Sequence, residues 1–137
     1  MKIIKKDQFR QNLNKYTCKA FYTLPRMDNP KILDVGCGTG VPTMELVRIS
    51  NGEILATDID QDALDLLDEK IKDNRLEDRV KTMNLSLFDL DLLDETFDII
   101  WSEGSIFAIG FQKGLEDWRH LIKDTGFIVV HDPFQDH

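Results

Sequence analysis

The sequence predicts an α/β fold of three layers (αβα), in which a mainly parallel sheet carries helices on both faces. Short apolar runs typical of buried strands alternate along the chain with amphipathic runs of helical spacing. The first strand also enters its helix through closely spaced glycines. The resulting order, βαβαβ followed by β and then αβ, implies strands connected through helices that cover both sheet faces.

Each predicted strand is a short apolar run bounded by polar or turn residues, and the strands fall at residues 32–35, 53–57, 80–85, 97–101 and 127–130. Helices are expected within residues 1–24, after Gly40, after a cap at Asp60, and over 112–122 with Ile122 facing inward. Residues 124–126 are expected to form a turn before the last strand.

Composition and charge narrow the class of protein. At 137 residues the chain is expected to be one domain, with an N-terminal helical segment at 1–25 and a core at 31–132. No apolar run approaches the length of a membrane span, and residues 1–10 are too polar for a secretory signal. The net charge of −8 argues against a broad grip on nucleic acid or on an anionic membrane.

The two cysteines, Cys18 and Cys37, do not have the spacing of a metal or redox site, so no metal is expected. Cys37 lies within the glycine loop. A reducing, cytoplasmic setting is therefore the simplest interpretation.

The glycine loop differs from two better-known phosphate loops. Gly40 is followed by Val41 and Pro42, where a phosphate-binding loop has Gly-Lys-Ser/Thr. A dinucleotide loop, Gly-x-Gly-x-x-Gly, would need its third glycine at Val41 or at Thr43, depending on the starting glycine. Neither pattern matches.

The run Lys-Ile-Leu-Asp-Val-Gly-Cys-Gly-Thr-Gly at residues 31–40 resembles motif I of the Rossmann-like, class I S-adenosylmethionine-dependent methyltransferases. Residues 97–111 are similar to the region after strand four in small-molecule methyltransferases, and specifically to a subgroup of uncharacterised prokaryotic members. The turn at 124–126 departs modestly from the Pro-Gly-Gly usual in the family. The resemblance covers roughly residues 20–132.

The resemblance implies a binding site for S-adenosyl-L-methionine at the carboxyl ends of the strands. Asp58, at the end of strand two, would hold the ribose hydroxyls; the alternative is a helix cap, for which Asp60 is better placed. Ser86 and Leu87 would flank the adenine. The full set of expected cofactor-binding residues is Asp34, Gly36, Cys37, Gly38, Thr39, Gly40, Asp58, Ile59, Ser86, Leu87, Ser102 and Glu103.

The implied reaction is direct in-line displacement of a methyl group from the sulfonium, which needs alignment more than a dedicated base. Glu103 is a weak catalytic candidate, and it equally suits holding the cofactor's amino group or a loop. Of the histidines, His131 at the end of strand five is the better candidate, whereas His120 is expected at the surface. Trp101 and Trp118 are expected to be packing residues.

The acceptor is expected to be a small molecule. At Glu103, amino-directed nucleic-acid methyltransferases carry Asp/Asn-Pro-Pro-Tyr/Phe, whereas this chain has Glu-Gly-Ser-Ile, so base methylation is disfavoured. An aromatic wall for the acceptor from Tyr16, Phe21 and Tyr22 and simple packing of the N-terminal helix both stay open.

The chain ends about where strand five finishes, so the family's C-terminal hairpin of strands six and seven is expected to be absent. Strand five would then be an exposed edge able to pair in a homodimer. Three hypotheses follow: an active methyltransferase, which we favour; a non-catalytic cofactor-binding or interaction module; and a nicotinamide enzyme, which Val41 and Asp34 disfavour.

Overall fold

A computed structural model of the protein describes residues 14–103 and 109–131. Helices and strands alternate along the chain as predicted. In chain order they are α1 (Asn14–Tyr22), β1 (Lys31–Val35), α2 (Val41–Ile49), β2 (Glu53–Asp58), α3 (Gln61–Asp73), β3 (Val80–Asn84), β4 (Phe97–Glu103), α4 (Phe111–Trp118), a 3₁₀ turn (Arg119–Leu121) and β5 (Ile122–His131). Within this part of the chain, no helix has both the length and the apolar character needed to traverse a membrane.

The five strands form one sheet in the order β3-β2-β1-β4-β5, and every neighbouring pair is parallel. In the central register, Leu33 lies opposite Leu55 of β2 on one side and Ile100 of β4 on the other. The strand order reverses between β1 and β4, which is the point where open sheets of this kind bind ligands. The predicted parallel α/β sheet is therefore confirmed, with β5 as an edge strand among the described residues.

Two apolar clusters cover the two faces of the sheet. Because side chains alternate along a strand, β1 sends Ile32 to one face and Leu33 to the other. The first face packs against residues of α1, α2 and α3, such as Leu46 and Leu67, and the second packs against Trp118. Each such fully buried side chain contributes about 1.5–3 kcal/mol, so both helix layers are held chiefly by apolar burial.

The region before β5 differs from its prediction. The helix predicted over 112–122 ends at Trp118, and β5 begins at Ile122, five residues before its predicted start at Phe127. The turn predicted at 124–126 lies within this strand, at the point where its pairing with β4 is irregular. The extra residues are accommodated by an irregularity in the β4–β5 register: Phe97 pairs with Ile122, yet Ile99 pairs with Phe127. A bulge therefore absorbs the turn-like residues without ending the strand.

The bulge places Gly126 against its neighbours and generates a stability test. A Cβ atom at Gly126 would lie 2.7 Å from the backbone oxygen of Asp98 and 2.4 Å from Cγ2 of Ile122. We expect Gly126→Ala to lower the free energy of unfolding by about 1–3 kcal/mol, because a close-packed site cannot absorb the methyl group. Urea denaturation measures this.

The neighbouring substitution Thr125→Ala is the matched control, since Thr125 is exposed. It should change the unfolding free energy by no more than about 0.5 kcal/mol. Equal stability of the two variants would show that residues 122–127 do not form the bulged strand.

Candidate functional site

The glycine loop between β1 and α2 is fixed to the end of β2. The backbone N–H groups of Gly36 and Cys37 both donate to the carbonyl oxygen of Thr57, at 2.8 and 3.0 Å. Gly36 has a φ of 72°, a left-handed conformation that side chains of L-residues rarely adopt. The loop is thus held over the carboxyl ends of β1 and β2, where the sequence placed it.

The two later glycines of the loop, Gly38 (φ 58°) and Gly40 (φ 91°), face different surroundings. A Cβ atom at Gly40 would lie 2.2 Å from Cδ1 of Leu67 in α3, so this glycine allows close packing of loop and helix. A Cβ atom at Gly38 would meet nothing within 4 Å. Gly38 therefore presents bare backbone to open space, where a ligand can approach it.

Asp58 joins the end of β2 to the loop. Its Oδ2 accepts a hydrogen bond from the N–H of Gly38 at 2.9 Å, and its Oδ1 accepts one from the N–H of Asp60 at 2.9 Å. Asp60 itself caps α3, because its Oδ1 accepts from the N–H of Ala63 at 3.2 Å. The prediction that Asp60 is the cap is confirmed. A carboxylate has about four acceptor positions, so Asp58 retains acceptor capacity for a ligand.

Asp34 lies beneath the loop with 2% of its surface exposed. Its Oδ2 accepts a short hydrogen bond of 2.6 Å from the Thr43 hydroxyl in the first turn of α2. This contact ties β1 to α2 around the loop. Thr43 was missed by the sequence analysis because a threonine inside an amphipathic helix gives no local signal of such a partner.

Two more side chains belong to the surroundings of the loop, those of Lys70 and Cys37. Lys70 of α3 donates from Nζ to the carbonyl oxygen of Thr39 at 3.0 Å. The Cys37 side chain is buried, and burial, with the nearby negative charge of Asp34 and then of Asp58, raises the pKa of its thiol far above its ordinary value. The thiol therefore stays protonated and is a packing group.

At the end of β4, the strand extends to Glu103, two residues beyond its predicted end at Trp101. Glu103 is 7% exposed, and its Oε2 accepts from the indole N–H of Trp101 at 3.1 Å. The Thr17 hydroxyl of α1 lies 2.9 and 3.0 Å from the two carboxylate oxygens and donates to them. Sequence reasoning missed Thr17 because 86 residues separate it from Glu103. Ser102 is fully buried.

The expected adenine side is formed by residues after β2 and β3. The backbone N–H of Leu85 donates to the carbonyl oxygen of Asp58 at 3.2 Å, which holds the two connections together. Ile59 is 70% exposed, whereas Leu87 packs partly into the second apolar cluster. The Ser86 hydroxyl accepts from the N–H of Phe88 at 3.1 Å, so it stabilises the local turn.

Two of the aromatic residues of α1, Phe21 and Tyr22, have surroundings other than the glycine loop. Phe21 packs on Trp101 in the core, with their ring centroids 6.5 Å apart. Tyr22 lines a cavity of about 480 Å³ together with Ser50 and Asn51, at the amino ends of the strands. A cavity of about 260 Å³ bordered by Lys31 and other residues also lies at that end. We assign the ligand site to the loop end, because parallel sheets bind ligands at the carboxyl ends of their strands.

The sequence analysis also singled out two tryptophans and two histidines. Trp101 and Trp118 are both buried packing residues, as expected. His120 is exposed, as expected, and lies 3.8 Å from Asp94. The side chain of His131 lies outside the described residues. Across residues 14–103 and 109–131, no group of three or more potential metal ligands is arranged to hold a metal.

The buried thiol of Cys37 predicts a specific pH dependence. The unfolded chain loses this proton above pH 9.0, whereas the native chain keeps it, so native stability falls as pH rises above 9.0. We expect wild type to lose unfolding free energy relative to Cys37→Ala, by at most about 1.4 kcal/mol per pH unit for one proton. Denaturation curves between pH 8 and about pH 10.5 measure this.

Cys18→Ala removes the other thiol of the chain and serves as the control. It should keep the wild-type decline above pH 9.0. Parallel pH profiles for wild type and Cys37→Ala would contradict the assignment of a buried, protonated thiol.

Comparisons with known proteins identify relatives of this chain. The family model described as "Methyltransferase domain" matches residues 32–126, from the first strand to the bulge in β5. The ribosomal protein L11 methyltransferase of Thermotoga petrophila is 34% identical over 99 residues, which is 72% of this chain and 35% of that protein. The chain spans only 21–42% of the length of the curated relatives it matches.

Two solved structures show the same fold at lower sequence identity. The [4+2]-cyclase SpnF has a TM-score of 0.78 and 21% identity, over 85% of this chain and 43% of that chain. A SAM-dependent methyltransferase from Aquifex aeolicus has a TM-score of 0.72 and 20% identity, over 83% of this chain and 62% of that one. With the family match over most of its length and this shared fold, the chain belongs to the Rossmann-like, S-adenosylmethionine-dependent methyltransferase family.

Proposed function

We propose that the chain binds S-adenosyl-L-methionine across its glycine loop and transfers the methyl group to a small-molecule acceptor. The observation that carries this proposal is the pairing of Gly38 and Asp58. Gly38 presents backbone to open space, and the Asp58 carboxylate lies 2.9 Å from the N–H of Gly38 with acceptor capacity remaining. A nucleoside with two ribose hydroxyls fits this combination of bare backbone and carboxylate.

Each part of the loop region has a distinct proposed role. The Asp58 carboxylate accepts hydrogen bonds from the ribose hydroxyls, and the exposed Ile59 beside it covers one face of the adenine. Leu87 and the Ser86 turn border the adenine from the next connection. Gly36 and Gly40 keep the loop close to the carboxyl ends of the strands. Asp34 acts through Thr43 by fixing α2 against the loop.

When bound, the cofactor supplies a methyl group that is already electrophilic because it is attached to a sulfonium. The protein then has to align an acceptor with that methyl group and exclude water. Neither task requires a general base. Glu103 is tied to Thr17 and Trp101, so we assign it to organising this end of the site rather than to proton transfer.

A small-molecule acceptor suits the charge of the chain and the sequence after β4. A net charge of −8 gives no broad attraction for nucleic acid, and Gly104-Ser105 stands where base-modifying enzymes carry a Pro-Pro pair. Because one relative is named as a ribosomal protein L11 methyltransferase, the main alternative to a small-molecule acceptor is a protein acceptor. The second candidate is a non-catalytic cofactor-binding or interaction module, because the chain shares its fold with a protein named as a cyclase and a fold does not fix an activity.

We further infer that residues 1–137 act as one domain and that two copies associate along the outer edge of β5. This strand is ten residues long and pairs only with β4 among the described residues. Unpaired strand edges present rows of backbone donors and acceptors that favour pairing with another strand. A cytoplasmic location suits the free thiols of Cys18 and Cys37.

The first test of the function is calorimetric titration of the chain with S-adenosylmethionine, S-adenosylhomocysteine and NADH. We expect binding of the first two and none of NADH. Asp58→Ala should weaken binding of both by about 1–3 kcal/mol, because the hydrogen bonds to the ribose hydroxyls are lost.

Asp60→Ala is the matched control, since it removes a neighbouring carboxylate that caps α3. It should lower stability by about 1 kcal/mol and leave cofactor affinity close to that of wild type. If Asp58→Ala binds the cofactor as tightly as wild type, Asp58 does not hold the ribose. If folded wild type binds neither adenosyl compound, the proposed function is wrong.

The β5 edge predicts association that depends on concentration. We expect light scattering to give the mass of a dimer, about twice 15.8 kDa, at high protein concentration, and a smaller mean mass on dilution. A constant monomer mass over this range would contradict pairing through β5.

A further inference from the structure

We propose that the hydrogen bonds from Thr17 to Glu103 form a latch that positions α1 over the acceptor side of the cofactor site, which makes Thr17 and Glu103 positioning residues. This inference rests on the proposed function and adds to it the element that closes the site beside β4. The latch is defined here as the Thr17 hydroxyl and the two oxygens of Glu103.

The latch buries a carboxylate at a position where burying an apolar side chain would cost less free energy. Glu103 is 7% exposed and Thr17 is 2% exposed, so both groups are largely removed from water. Burying a carboxylate is expensive unless hydrogen bonds satisfy it, and these come from the Thr17 hydroxyl and the Trp101 indole. Two apolar side chains at these positions would pack α1 without the cost of burying a carboxylate. The geometry therefore favours a role for the latch beyond packing.

The two ends of α1 differ in chemistry along its length. At its C-terminal end, Ala20 and Phe21 pack against the first apolar cluster. At the other end, Thr17 reaches Glu103, and the amide oxygen of Asn14, one helical turn earlier, is buried with no hydrogen-bond partner in the described part of the chain. A buried acceptor without a donor is costly, so this end of α1 has the character of a ligand-facing surface.

The position of the latch relative to the glycine loop is given by the strand register. Asp34 of β1 lies opposite Trp101 of β4, so Glu103 follows at the level of the loop. β4 flanks β1 on the side opposite β2, which carries Asp58. A ligand whose ribose binds Asp58 and which extends across the loop therefore meets the latch at its other end. In the proposed function, that end carries the methyl group.

The latch is tested with Thr17→Val, which keeps the shape of threonine but removes the hydroxyl, and with Thr17→Ser, which keeps the hydroxyl. Two quantities are measured: amide hydrogen exchange in residues 14–22 and the dissociation rate of S-adenosylhomocysteine by stopped-flow displacement. We expect Thr17→Val to raise both by about tenfold, the effect of losing one hydrogen bond to a charged group. Thr17→Ser should restore both.

Thr23→Val is the matched control, because the Thr23 hydroxyl donates only locally, to the carbonyl oxygen of Ala20 at 2.6 Å. It should leave the dissociation rate unchanged. Incorporation of 5-fluorotryptophan adds a signature that does not require ligand: the ¹⁹F resonance of Trp101 should shift in Thr17→Val. That of Trp118, whose indole donates to Leu87 on the other face of the sheet, should not.

Faster exchange in residues 14–22 with an unchanged dissociation rate would overturn the proposal, since α1 would be latched but would not border the ligand. Unchanged exchange in Thr17→Val would also overturn it. If wild type binds neither adenosyl compound, the proposed function fails together with the ligand role of the latch. Failure of the latch alone is distinguished by normal cofactor binding in wild type.

Discussion

The site depends on one backbone interaction, the acceptance of two N–H groups by the carbonyl oxygen of Thr57. Gly36 and Cys37 donate to it, so the loop after β1 is held against the end of β2. This contact needs β1 and β2 to be parallel neighbours in register, with Val35 opposite Thr57. Once it forms, Asp58 lies one residue further on and accepts from Gly38. The pairing of β1 with β2 therefore also fixes the geometry of the site.

The three glycines of the loop meet three different physical demands. Gly36 provides the turn that brings the loop back to Thr57, and Gly40 lets the start of α2 approach Leu67. A Cβ atom at Gly38 would enter open space, in contrast to one at Gly40. A left-handed φ at all three positions explains why glycine suits each of them.

The features that the sequence predicted correctly are those with local signals. The loop between β1 and α2, the Asp60 cap and the helix that follows this cap are each indicated by neighbouring residues, and the structure has all of them. The features it missed depend on residues far apart. The bulge at Gly126 depends on Asp98, and the partner of Glu103 is Thr17. A turn-like triplet such as residues 124–126 looks the same in a loop and in a bulged strand, and only the β4 partner distinguishes the two.

The same separation explains why the cofactor is easier to infer than the acceptor. The loop and Asp58 are defined by short segments of β1 and β2, and the family match covers both. In the proposed site, the side next to β4 is built from α1 and Glu103, and α1 lies outside the matched residues 32–126. Structures that share this fold include one named as a methyltransferase and one named as a cyclase, so the fold alone does not fix the reaction. We therefore expect substrate choice to depend on contacts outside the family match, and among the described residues the polar end of α1 is a candidate for them.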